Sequence, residues 1–117
     1  MDASTSKAVL TNICQSDYLQ NMQELNMYLN KLSSEGCHTS LANILATAIK
    51  LNTIDISYSG VKASIEYATV GTDGEVTPGK VTIKKRSDYG TDADDGTVLY
   101  ECATDKREST NKVNIGC

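Results

Sequence analysis

Apolar residues in the first part of the chain repeat at the spacing of an α-helix. Five apolar residues separated by 4, 3, 4 and 3 positions would lie in one stripe along a single helical face. They are Tyr18, Met22, Leu25, Leu29 and Leu32. The stripe predicts a long first helix that starts near residue 5 and ends at Gly36, a natural left-handed cap. Apolar residues at helical spacing predict a second, shorter helix over 40–51.

From residue 54 the pattern changes to alternation of apolar and polar residues, which is typical of strands. Turn-forming glycines and Pro78 separate the runs. Four strands are predicted over 54–58, 61–67, 80–84 and 97–102, with a weaker strand over 113–115. Helices followed by neighbouring strands predict an α+β fold, in which a long N-terminal helix and a short second helix pack on a four-stranded antiparallel sheet.

Composition limits the class of protein without selecting a function. The 117 residues predict one domain, divided into a helical region (5–51), a sheet region (54–102) and a C-terminal loop (103–117). A net charge of −4 and a pI near 4.8 argue against a nucleic-acid binder with a basic face. The sequence contains six tyrosines but no phenylalanine or tryptophan, and no apolar run of about 18 residues.

Four cysteines are widely spaced at Cys14, Cys37, Cys102 and Cys117. An even count at long spacing fits two disulfides and an oxidising compartment better than a zinc site with His38. Three connectivities exist, and proximity in sequence favours Cys14–Cys37 and Cys102–Cys117. Four reduced thiols in a cytosolic protein are the alternative. No export signal is visible, which fits either a cytosolic protein or a chain from which a preceding segment has been removed.

No catalytic constellation emerges from the sequence. The single histidine, His38, directly follows Cys37, so the two side chains are poorly placed to act as a dyad. Neither a Gly-x-Ser-x-Gly motif nor a phosphate-binding glycine loop is present. We therefore expect a protein that is not an enzyme and needs no cofactor.

Two polar segments are candidates for binding. The first carries four aspartates, whose oxygens suit Ca²⁺, although a solvated hairpin loop explains the same composition; its residues are Asp88, Asp92, Asp94 and Asp95. The second is the C-terminal loop, which a Cys102–Cys117 bridge would hold rigid and exposed for recognition. Its candidate contact residues are Thr104, Asp105, Lys106, Arg107, Asn111 and Lys112.

The order of elements resembles the globular domain of a type IV pilin. The resemblance rests on Gly79–Ile83, on the run Asp95-Gly-Thr-Val-Leu-Tyr-Glu-Cys102, and on Cys117 near the end. It implies a structural subunit of a type IV pilus or related surface filament, active in assembly, adhesion and motility. The subunit would contact other pilin subunits and the inner membrane through a hydrophobic helix that precedes residue 1, and possible further partners are host or surface receptors.

Two departures keep other interpretations open. Cys14 and Cys37 lie in the helical region, where most pilins of this class have no cysteine pair, so a minor pilin or a pseudopilin also fits. A pseudopilin of a type II secretion system would bind calcium through the aspartate-rich segment. A small acidic cytosolic binding or inhibitor module is the second functional class.

Overall fold

The computed structural model describes residues 2–32, 34–86 and 97–116. It contains two α-helices, α1 (Ala3–Gln15) and α2 (Glu35–Thr47), and two single 3₁₀ turns at Asp17–Asn21 and Ser109–Asn111. Within these residues, neither helix has the length and apolar character needed to span a membrane.

Eight short strands complete the fold: β1 (Glu24–Asn26), β2 (Thr53–Asp55), β3 (Val61–Glu66), β4 (Thr69–Val70), β5 (Val76–Thr77), β6 (Gly79–Lys85), β7 (Val98–Thr104) and β8 (Asn114–Gly116). They form a parallel sheet in the order β1-β2-β8, an antiparallel sheet in the order β3-β6-β7, and a small hairpin of β4 and β5. The predicted single sheet of four antiparallel strands is therefore wrong.

The predicted long first helix is also wrong, because α1 ends at Gln15. Ser16 has an extended backbone, and its hydroxyl accepts a hydrogen bond from the Tyr18 amide, which begins a 3₁₀ turn instead. The residues of the apolar stripe therefore do not share one helical face. Leu25 lies in β1, while Leu29 is 60% exposed. Pairing of β1 with β2 has replaced the helix that local periodicity indicated.

The second helix begins earlier than predicted, and Gly36 lies in its first turn instead of ending the preceding helix. The side chain of Lys7 from α1 passes over this glycine. A Cβ atom at residue 36 would lie 2.5 Å from Lys7 Cε. Gly36 is thus not a left-handed cap, and a larger residue there would require the Lys7 side chain to move.

The three strands predicted over 61–67, 80–84 and 97–102 are confirmed as β3, β6 and β7 with small shifts at their ends. The run predicted over 54–58 forms only the short β2, which pairs in parallel with β1 and β8. Helix α2 packs against α1 on one side and against β6 and β7 on the other. Its buried leucines and isoleucine form the centre of the core with side chains from both sheets, including Leu41, Ile44, Leu45, Ile54, Val81 and Ile83.

The disulfide between Cys14 and Cys37 predicted by sequence proximity is not formed, since both cysteines are free. The Cys37 sulfur lies 3.6 Å from the carbonyl oxygen of Ala3, at the start of α1. Cys14 lies near the other end of the same helix, about 16 Å along its axis, which is too far for a bridge. Cys102 is free as well, and its predicted partner Cys117 lies outside the described residues.

Candidate functional site

A cluster of exposed apolar side chains lies at the carboxyl end of the parallel β1 and β2 strands. The register of the strands pairs Asn26 with Asp55. Beyond this pair the two chain segments continue side by side: the Met27 amide donates to the Asp55 carbonyl over 2.7 Å, and the Leu29 amide donates to the Ser57 carbonyl over 3.1 Å. Three exposed residues on these segments, Tyr28, Leu29 and Tyr58, are called here the aromatic edge.

The paired residues Asn26 and Asp55 each start a turn of the same kind. Asn26 Oδ1 accepts a hydrogen bond from the Tyr28 amide over 2.9 Å, and Asp55 Oδ1 accepts one from the Ser57 amide over 2.9 Å. The hydrogen bond from Ser57 lowers the pKa of the Asp55 carboxyl. Two matching side-chain turns therefore direct both segments at the same position along the sheet.

Backbone strain is concentrated in the aromatic edge. Leu29 has φ = 61° and Tyr58 has φ = 55°, and they are the non-glycine residues with positive φ in the described chain. The left-handed region costs an ordinary residue roughly 1–2 kcal/mol. Strain of this kind persists only where surrounding structure enforces it, and it clusters at functional sites.

The side chains of the aromatic edge face solvent although they are large and apolar. Tyr28 is 47% exposed, Leu29 60% and Tyr58 50%. The two tyrosine rings are 5.8 Å apart between centroids and are nearly perpendicular, at 86°, which is the edge-to-face arrangement that aromatic pairs prefer. The pair is thus held in one geometry before any partner arrives, which lowers the entropic cost of a contact.

A second exposed apolar patch is formed by the β4–β5 hairpin. Val70 and Val76 are directly opposite one another, so both side chains lie on one face, and they are 51% and 44% exposed. The turn is fixed by a hydrogen bond from the Gly71 amide to the Glu75 carbonyl over 2.8 Å and by Gly74, which has φ = 81°. Val70 and Val76 are called here the valine hairpin.

Strand β3 separates the two patches. It begins three residues after Tyr58 and ends three residues before β4. Six extended residues span about 20 Å. The aromatic edge and the valine hairpin therefore lie beyond opposite ends of β3.

The predicted contact residues of the C-terminal loop do not form one exposed surface. Thr104 and Arg107 are buried, so the expected exposure is wrong for these two residues. The Thr104 hydroxyl donates to the Ala46 carbonyl over 2.7 Å and accepts hydrogen bonds from the amides of Lys106 and Arg107. The start of the predicted C-terminal loop is thus held against the core by a hydrogen bond to the end of α2.

Arg107 is fully buried and holds the C-terminal end of α2. Its guanidinium donates to the carbonyl oxygens of Leu45, Ala48 and Leu51, and also to that of Asn111. Burial lowers the pKa of Arg107, but an arginine stays charged. The positive charge is compensated by carbonyls at the negative end of the helix dipole, which gives this residue a structural role.

The other predicted site residues are dispersed. Asp105, Lys106 and Lys112 are exposed, and Asn111 is half-buried. The four aspartates of the predicted calcium segment lie outside the described residues. Among residues 2–32, 34–86 and 97–116, no three His, Cys, Asp or Glu side chains are grouped so that they could hold a metal ion.

Two of the thiols line one groove of about 390 Å³ beside α2. Cys14 lies on one wall, with its sulfur 3.5 Å from the Ser40 carbonyl, and Cys102 lies on the other, near the Ala42 carbonyl. Burial raises the pKa of Cys102, so its thiol is mostly protonated at neutral pH.

No family model, no curated protein and no solved structure matches this chain. Its clearest surface features, the aromatic edge and the valine hairpin, were not predicted from the sequence, because Tyr28 and Tyr58 are brought together only by the parallel register of β1 and β2. The local signal in the sequence is a tyrosine two residues after Asn26 and three residues after Asp55.

Proposed function

We propose that the protein is a non-catalytic structural subunit that associates head to tail with copies of itself, with the aromatic edge of one copy contacting the valine hairpin of the next. The observation that carries this proposal is the presence of two different exposed apolar patches beyond opposite ends of β3. A contact between two different patches leaves one of each free in every dimer. Such contacts build rings or open filaments.

The two patches have complementary chemistry. The aromatic edge presents rings and a leucine, while the valine hairpin presents branched methyl groups on a pair of short strands. Aromatic and β-branched side chains form favourable neighbours when they pack together. Both patches are also fixed by backbone hydrogen bonds, so little order has to be gained on association.

Charged residues of both signs lie near the aromatic edge, because Asp55 starts one of its turns, whereas the residues in the turn of the valine hairpin are acidic. Lys31 follows the aromatic edge, and Arg86 donates its amide to the Gly60 carbonyl close to Tyr58. Asp73 and Glu75 lie in the turn of the valine hairpin. Because the aspartate-rich segment 87–96 directly follows Arg86 in sequence, the proposal depends on the apolar side chains and not on net charge.

Sedimentation velocity over a range of protein concentrations tests the proposal. The weight-average mass is expected to rise continuously from 12.6 kDa past that of a dimer. Tyr28→Ser with Tyr58→Ser, or Val70→Thr with Val76→Thr, should weaken association by roughly tenfold or more, because each removes the centre of one patch. Circular dichroism should show that both variants are folded.

Tyr18→Ser is the matched control, since Tyr18 is 70% exposed and belongs to neither patch. It should associate like the unaltered protein. A mass that stays at 12.6 kDa at all concentrations would overturn the proposal. So would growth that stops at a dimer and is abolished only by the tyrosine substitutions, because this would indicate a symmetric contact between two aromatic edges.

A further inference from the structure

The outer edge of β3 exposes backbone hydrogen-bonding groups. β3 pairs with β6 on one side, and no strand of the described chain lies on its other side. The Arg86 amide donates to the Gly60 carbonyl over 3.1 Å, and hydrogen-bonded pairs alternate along an antiparallel ladder from there. The even-numbered residues of β3 therefore bond to β6, while the N–H and C=O groups of Ala63 and Ile65 point away from it.

These backbone groups of Ala63 and Ile65 are called here the free edge of β3. Both residues are half-buried, and within the described part of the chain no backbone hydrogen bond outside the sheet involves either of them. Val61 is 1% exposed, so the free edge begins after this residue. An unpaired strand edge is a template on which a further strand can bind.

The side chains of β3 are self-complementary about Ser64. Alternation places Lys62, Ser64 and Glu66 on the outer face of the sheet, while Ala63 and Ile65 pack against the core. If two copies pair antiparallel about Ser64, Lys62 of each copy lies opposite Glu66 of the other. The same register sets Ala63 opposite Ile65, so that their free N–H and C=O groups bond to each other.

We propose that the free edge of β3 binds the same edge of a second copy of this chain, in the antiparallel register centred on Ser64. Opposite charges and apolar side chains in directly opposed positions both stabilise a pair of strands. A shift by two residues in either direction would separate Lys62 from Glu66, so the charges select this register. The other edge strands, β1, β7 and β8, contain no lysine or arginine that could lie opposite Glu66.

The proposed contact is short and uses neither the aromatic edge nor the valine hairpin. The paired segment 62–66 spans about 17 Å, and an interface this small binds weakly, so that single chains stay monomeric in dilute solution. The two patches lie beyond opposite ends of β3, which leaves its free edge open in a head-to-tail assembly. Repeated contacts would then join two assemblies side by side. That lateral pairing rests on the proposed function, whereas the contact between two chains does not.

Disulfide trapping at residue 64 tests the contact directly. Ser64 is exposed, and the proposed register sets the two copies of this residue opposite each other with Cβ atoms about 4.5–5.5 Å apart, close to the separation that a disulfide needs. Ser64→Cys at high protein concentration with oxidised glutathione should give a covalent dimer linked through residue 64. Asn12→Cys, an exposed position on α1, is the matched control and should give several times less. The unaltered protein measures the background from the native thiols.

Charge exchange tests the register. Adding Lys62→Glu to Ser64→Cys should lower the dimer yield by about fivefold, because both ion pairs become repulsive. Adding Glu66→Lys as well should restore the yield, since the exchanged charges are again complementary, and Glu66→Lys alone should lower it like Lys62→Glu. Equal trapping at residues 64 and 12, no loss in either single variant, or no recovery in the exchanged variant would overturn the inference. A dominant link from residue 64 to a native cysteine would overturn it as well.

Trapping in a chain without the aromatic edge separates this inference from the proposed function. Ser64→Cys combined with Tyr28→Ser and Tyr58→Ser should still form the dimer linked through residue 64. Trapping without any head-to-tail association would refute the proposed function alone. Head-to-tail association without trapping at residue 64 would refute the inference alone.

Discussion

The Nε atom of Arg107 donates a hydrogen bond to the carbonyl oxygen of Leu45 over 3.0 Å, and it joins the C-terminal loop to the last turn of α2. With the hydrogen bonds to Ala48 and Leu51, one side chain binds a carbonyl in the last turn of α2 and two carbonyls in the segment that follows the helix. The polar segment expected to be an exposed recognition loop is therefore part of the structural framework around α2.

Replacement of Arg107 should destabilise the fold strongly. We expect Arg107→Met, which keeps an apolar stem of similar length, to lower the free energy of unfolding by about 3 kcal/mol, because it leaves several buried carbonyls without donors. Arg107→Lys should lower the free energy of unfolding by a smaller amount, since the lysine ammonium can still donate to some of these carbonyls. Urea denaturation measures both, and a loss below about 0.5 kcal/mol for Arg107→Met would show that these hydrogen bonds contribute little.

Two substitutions of Leu29 can distinguish the cost of its backbone strain from the effect of losing its side chain. Leu29→Gly and Leu29→Ala remove the same exposed side chain, but only glycine tolerates φ = 61° without cost. We expect the glycine variant to be more stable than the alanine variant by about 1 kcal/mol in thermal or urea unfolding. Both should associate more weakly than the unaltered protein, because the aromatic edge loses its central apolar group. Equal stability of the two variants would contradict the strain argument.

The turn at Asp55 should contribute to acid sensitivity. The folded-state pKa of Asp55 is below its ordinary value of 3.8, so its stabilising effect is present above that value and is lost as pH falls through the folded pKa. Asp55→Asn keeps a side-chain oxygen for the Ser57 amide but cannot be protonated in this range. The stability advantage of the unaltered protein over Asp55→Asn should therefore shrink between pH 5 and pH 2, as measured by urea unfolding at each pH. A constant difference would show that the carboxylate charge is not involved.

The separation of Cys14 and Cys37 predicts that no bridge joins them. Protein alkylated under denaturing conditions without reductant should carry a modified thiol at both positions when its peptides are analysed by mass spectrometry. The buried Cys37 should react much more slowly than the half-buried Cys14 when alkylation is carried out on the native protein. A peptide pair linked through Cys14 and Cys37 would contradict the placement of these residues at opposite ends of α1.

The strands of the antiparallel sheet could be predicted because their residues alternate and because turn residues bound them. Val61–Glu66 is the clearest case, with Ser59-Gly60 before it and the turn chemistry of the next hairpin after it. The helix predicted over the stripe from Tyr18 to Leu32 failed for a physical reason. Side-chain turns at Ser16 and Asn26 compete with the helical backbone, and pairing with β2 supplies hydrogen bonds that the helix would otherwise provide.

The surface patches and the buried polar groups could not be predicted, because both depend on contacts between distant parts of the chain. Tyr28 and Tyr58 meet only through the register of a parallel pair. Nothing around Arg107 in the sequence distinguishes it from a solvated arginine, since three of the four carbonyls that bind it lie more than 50 residues away. A polar segment is correctly predicted as a surface loop only when the core contains no unpaired hydrogen-bonding groups that it can bind.

Head-to-tail association is tested most directly by mixing two variants that each lack one patch. Tyr28→Ser with Tyr58→Ser removes the aromatic edge but keeps the valine hairpin, and Val70→Thr with Val76→Thr does the reverse. We expect each variant alone to sediment as a 12.6 kDa monomer, and the equimolar mixture to form a dimer of twice that mass and nothing larger. Two monomers that do not associate when mixed, or either variant alone still forming long assemblies, would contradict the account.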